Sequence, residues 1–114
     1  MPRQRSTSET ATLTPLMFQI LIAVSGGERH GYAIMQEIEE RTDGAFRIGA
    51  GSLYRAIRQL VDAEFIVEAM PQPQVHRQRR YYRLTPRGRI RAAAEAKVFH
   101  GIVAWARDSG VLDR

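Results

Sequence analysis

Seven arginines, Arg77, Arg79, Arg80, Arg83, Arg87, Arg89 and Arg91, stand between Glu68 and Glu95 with no acidic residue among them. A guanidinium stays protonated near neutral pH and offers a planar fork of donors, so such a run is suited to gripping oxyanions, phosphate above all. The chain carries 17 Lys and Arg against 12 Asp and Glu, a formal charge of +5 that turns negative once those seven are set aside. The basicity is therefore local, the footprint of a polyanion-binding surface, although a merely solvated arginine face has the same composition. A second group, Ser52, Arg55, Arg58 and Gln59, is spaced to share the outer face of one helix. Arg reads guanine O6 and N7 there, and Gln reads adenine, so this group suits base edges where the arginine run suits a backbone. Tyr32 and Tyr54 each have a hydroxyl that a phosphate accepts from, while Tyr54 equally suits packing inward.

Catalytic chemistry has no comparable carrier. The chain has no cysteine, which excludes disulfides, thiolate metal sites and cysteine nucleophiles together. His30, His76 and His100 lie far apart, and none has a metal-type partner one helical turn away, so no metal and no cofactor are expected. Neither a paired acid nor a phosphate-cradling glycine loop appears, and the expectation is a binding protein and not an enzyme. The longest apolar run, Ile20 to Val24, is five residues where a membrane span needs about 20. The polar N-terminus lacks the apolar stretch of a secretory signal, so the expected location is cytoplasmic.

These residues need elements to position them. Thr14-Pro15 is an N-cap followed by proline at the first helical position, and Leu16, Met17, Ile20, Leu21 and Val24 continue as a helical stripe closed at Ser25-Gly26-Gly27. A second helix is expected from about His30 or Gly31 to Asp43-Gly44, with Ala33, Ile34 and Ile38 inward. Phe46 to Ile48 reads as a very short strand. Gly49 and Gly51 mark a turn before Ser52, the expected cap of a third helix with Leu53, Ile57, Leu60 and Val61 inward. The period then shortens to two over 65–70 and 80–84, two strands of a hairpin whose polar connection projects outward. At the tip of that hairpin His76, Arg77, Arg79 and Arg80 are the expected phosphate contacts. Thr85-Pro86 opens a last helix to about Ser109.

Helix, helix, short strand, helix, hairpin is the order of a winged helix-turn-helix, in which the third helix lies in the major groove of double-stranded DNA. The expected fold class is mainly α with a small β-hairpin: a disordered tail over 1–12, a winged helix-turn-helix over 13–85 and a C-terminal dimerisation helix over 86–114. In that last helix Ala94, Val98, Ile102 and Trp105 form one stripe with Phe99 beside it. The band is wider than so small a core covers, which implies a homodimer. Val98, Phe99, Ile102 and Trp105 line either that dimer interface alone or, with it, a pocket for a small aromatic or otherwise apolar effector.

Three motifs add to this reading: H-G-Y at His30 to Tyr32, G-S-L-Y-R-A-I at Gly51 to Ile57, and R-Y-Y-R-L-T-P-R-G at Arg80 to Gly88. In this order and spacing the chain resembles the short members of the PadR family of transcriptional regulators, from about Leu16 to Trp105. The resemblance implies a homodimeric repressor of a pseudo-palindromic operator, released in many members by a small molecule. Two departures stand out. Ala50 replaces a proline that many relatives have before the Gly, and the 71–80 connection lacks the acidic residues many relatives carry, implying stronger sequence-independent affinity. The competing reading is a winged-helix interaction module that binds another protein through its C-terminal helix. A pure protein-binding module has little reason to concentrate arginine in the wing.

Overall fold

The computed structural model describes residues 13–69 and 79–113. The tail expected over 1–12, and His76 and Arg77 of the wing, lie outside the described residues. Helix α1 (Pro15–Ala23) starts where its cap was read: the Thr14 hydroxyl oxygen accepts from the Met17 N–H at 3.1 Å and Pro15 takes the first helical position. Helix α2 (Gly31–Arg41) is capped by His30, whose Nδ1 accepts from the Ala33 N–H at 3.2 Å. It ends as expected, with Asp43 at φ 55° and Gly44 at φ 82° reversing the chain. Helix α3 (Ala50–Asp62) follows, and α4 (Pro86–Asp108) closes the described chain.

The strands form a three-stranded antiparallel sheet, adding one strand to the expected hairpin. Strand β1 (Arg29–His30) and β2 (Ile66–Glu68) both pair with the central β3 (Tyr81–Leu84). The register sets His30 opposite Tyr81 and Glu68 opposite Tyr82. Alternation then buries Tyr82 and half-buries Leu84 on one face while Arg83 faces out, the assignment made from period two.

Two expectations are corrected here. Phe46 to Ile48 is not a strand; Phe46 and Ile48 are half-buried wedges against the core, which imitates alternation, while the edge of β3 is already taken by Arg29–His30. Ser52 is not a cap: α3 begins two residues earlier, with Gly49 as its cap and Gly49 O accepting from Leu53 N–H at 3.0 Å. Ser52 thus sits in the first turn, on the exposed side.

Ile20, Leu21, Ile34, Leu53, Leu60 and Ile66 are fully buried and make one core shared by α1, α2, α3 and β2. Each such side chain contributes about 2 kcal/mol through burial, and together they fix α3 by its inner face. The root of α4 is tied to the junction between α3 and β2. The Thr85 hydroxyl accepts from Gly88 N–H at 2.9 Å and donates to the carbonyls of Glu64 and Phe65 at 2.7 and 3.0 Å. Gly88 is buried against the Phe65 carbonyl with no room for a β-carbon. Further along, the Phe99 ring stacks on Phe18 of α1, centroids 5.1 Å apart.

Candidate nucleic-acid interface

Four elements meet at a cleft of about 710 Å³: the first turn of α2, the outer side of α3, and the wing-side ends of β2 and β3. Its lining includes Tyr32, Tyr54, Arg58, Arg79 and Arg80, so five side chains proposed separately from sequence are brought together around one concavity. Ser52, Arg55 and Gln59 share the exposed arc of α3 beside it. Leu53, Ala56, Ile57 and Leu60 occupy the opposite side, buried, and it is their 3.6-residue period that turns the polar residues outward.

The contact between α2 and α3 depends on a missing side chain. The Tyr54 hydroxyl stands against Gly31, where any β-carbon would collide with it. Tyr54 therefore does not pack inward: it is 48% exposed, and its ring bridges α3 to the first turn of α2. Tyr32, one residue further along α2, is exposed on the same rim. His30 anchors this corner. While its Nδ1 caps α2, its Nε2 lies 3.0 Å from Arg79 Nη1, and the Tyr81 ring meets it edge-on at 5.3 Å. The role of His30 as a helix cap was not foreseen; its only sequence signal is a polar side chain immediately before the first helical residue.

Charge in the cleft is mixed. Arg80 lies 3.7 Å from Glu68, an exposed pair of little net strength. Burial pushes the Tyr82 phenol above its ordinary pKa, the nearby Glu68 charge adds to the shift and Arg80 opposes it, so this hydroxyl keeps its proton at neutral pH. Arg55 and Arg58 enter no ion pair among the described residues. Three arginines of the acid-free window have a different use from the one their composition suggested. Arg87 donates to the Ala63 carbonyl at 3.1 Å and lies over the Phe65 ring, Arg89 donates to the Ser25 carbonyl at 3.1 Å, and Arg91 pairs with Glu95 at 2.8 Å. Arg87 and Arg89 fasten α4 to the rest of the chain and the Arg91–Glu95 pair braces one turn of α4 itself, which leaves Arg79 and Arg80 as the described members of the run that face the cleft. The geometry suits an extended polyanion: guanidinium groups and tyrosine hydroxyls beside a helix N-terminus, flanked by a helix face carrying hydrogen-bonding forks.

The residues expected at a dimer or ligand surface divide. Val98, Ile102 and Trp105 are exposed, Trp105 by 72%, whereas Phe99 is half-buried against its own α1. Among the described residues, no group of His, Asp and Glu is arranged to hold a metal ion, and no helix is long and apolar enough to cross a membrane.

The model of the transcriptional regulator PadR-like family matches residues 20–94. An uncharacterised protein of Lysinibacillus sphaericus is 30% identical over 94 residues, covering 82% of this chain and 81% of that protein. Among solved structures, a PadR family transcription regulator from Clostridium difficile superposes with a TM-score of 0.73 at 21% identity, covering 83% of this chain and 97% of its own. The structure of Bacillus subtilis PadR in complex with operator DNA superposes with a TM-score of 0.64 at 22% identity, over 73% of this chain and 47% of that one.

Proposed function

Because the chain belongs to the PadR-like family of transcriptional regulators, a family of regulators and not of enzymes, we propose that it is a sequence-specific repressor acting in the cytoplasm as a homodimer. In this reading α3 enters the major groove of the operator and presents Ser52, Arg55, Arg58 and Gln59 to base edges. Tyr32, Tyr54, Arg79 and Arg80 hold the phosphates alongside, with His76 and Arg77 extending that grip along the wing. The observation that carries the reading is the convergence of Tyr32, Tyr54, Arg58, Arg79 and Arg80 on one cleft beside the exposed face of α3. That a relative of the same fold holds operator DNA supports it.

The exposed apolar face of α4 supports joining two copies there, and Val98, Ile102 and Trp105 are the side chains to be covered. A small apolar or aromatic effector bound at that junction releases DNA if it prefers a dimer shape that fits the operator less well.

The test is a titration of the purified protein against its own upstream promoter region and against a scrambled duplex of equal length, at two salt concentrations, with its mass in solution recorded alongside. A dimer that prefers the promoter at both salts, with affinity falling steeply as salt rises, is the expected result. A monomer, or equal binding to both duplexes, transfers the weight to an interaction module that uses α4 to bind another protein. A subtler check uses Gly31→Ala. The clash falls on the far end of a movable side chain, so the melting temperature changes little, but Tyr54 leaves its place and promoter affinity drops several-fold, about 1 kcal/mol for one lost hydrogen bond.

A further inference from the structure

Asp62 is a carboxylate in a place where phosphate binding has no use for one. Arg55, Arg58 and Asp62 lie three and then four residues apart on α3, so a single exposed face carries all three. Asp62 also lines the cleft with Arg58, Arg79 and Arg80. Glu68, the other carboxylate there, is engaged with Arg80, whereas Asp62 forms no ion pair and no side-chain hydrogen bond among the described residues, although Arg58 precedes it by one helical turn. Beside a phosphate backbone this charge repels. Its cost is recovered only where the DNA offers a donor, and the donors on major-groove edges are the exocyclic amino groups, which a carboxylate accepts from best at cytosine N4.

Resting on the regulator reading above, we propose that Asp62 is a specificity-determining residue: it penalises binding through phosphates alone and favours operators that present a cytosine amino group to the end of α3. Sequence-independent affinity, which the arginine-rich wing raises, is thereby held down by the same helix that reads the bases.

The experiment is selection from a pool of duplexes with a randomised core, followed by sequencing of the bound fraction, with wild type, Asp62→Asn and Asp62→Ala compared. Wild type is expected to enrich a motif with cytosine at one position of each half-site. Asp62→Asn shifts that position towards adenine, whose N6 and N7 an amide matches, Asp62→Ala leaves it without preference, and every other position is kept. Both variants bind the unselected pool several-fold more tightly, and the ratio of motif to pool affinity falls on the order of tenfold. Because Asp62 is exposed, unchanged melting temperatures exclude misfolding as the cause. An unchanged motif overturns the proposal, whether affinity stays level or rises uniformly, since uniform gain is plain charge repulsion. Enrichment of no motif by wild type removes the regulator reading itself and this proposal with it.

Discussion

Replacing Gly88 by alanine is expected to cost about 3 kcal/mol of stability, the upper end of what an overfilled site costs, although the change adds one methyl group. The new β-carbon collides with the Phe65 carbonyl, lies 2.8 Å from the Phe65 carbonyl carbon and 2.9 Å from Leu84 Cδ1. None of these neighbours yields easily. The Phe65 carbonyl already accepts from Thr85, through its N–H at 3.1 Å and its hydroxyl at 3.0 Å, so moving it breaks the tie that seats α4. In a domain of this size the loss corresponds to a fall in melting temperature on the order of 15 °C, read by circular dichroism. A fall of only a few degrees means that the root of α4 slides to accommodate the methyl, and the tight packing at Gly88 is then not what holds it.

The second large effect is on recognition. Arg55→Ala removes an exposed side chain that has no ion pair among the described residues, so stability is unaffected while preference for the operator collapses. The loss on the operator is about 2 kcal/mol, near 30-fold, against a loss on scrambled DNA no larger than one phosphate contact gives. Arg79→Ala is the control with the opposite pattern: it weakens both duplexes alike and reduces the salt slope by about one. Matched losses on both duplexes for Arg55→Ala rule out base reading by this side chain.

The contrast between Gly88 and Gly31 also shows what is legible in a sequence. Local chemistry is: Thr14-Pro15 and Thr85-Pro86 mark the starts of α1 and α4, and the 3.6 and 2 periods identify α3 and the β2–β3 pair. The start of α3 is less so, because Ser52 is the better-known cap type while Gly49, without a side chain, holds the position. Strand β1 is two polar residues long and has no period at all; it exists because β3 has a free edge beside it. The site divides in the same way. Its residue types, tyrosines and arginines on α2, α3 and the wing, follow from composition and spacing. That Arg87 and Arg89 serve backbone carbonyls does not follow, since their partners are set by which segments fold against α4, whereas the pairing of Arg91 with Glu95 is an i,i+4 contact within one helix.

The fastening of α4 gives it the mechanics of a cantilever. At 1.5 Å per residue its 23 residues reach about 34 Å, and the attachments at Thr85, Gly88, Arg87, Arg89 and the Phe99–Phe18 stack all fall in the stretch before Gly101. What remains is a short, stiff beam anchored at its base and loaded at its tip. If two copies join through those tips, a turn of about 5° of one helix about the joint displaces its anchored end by about 3 Å over the full length of α4, enough to move a reading helix out of step with its half-site. The pitch of DNA is then matched by a joint, and the arm itself has no slack with which to compensate.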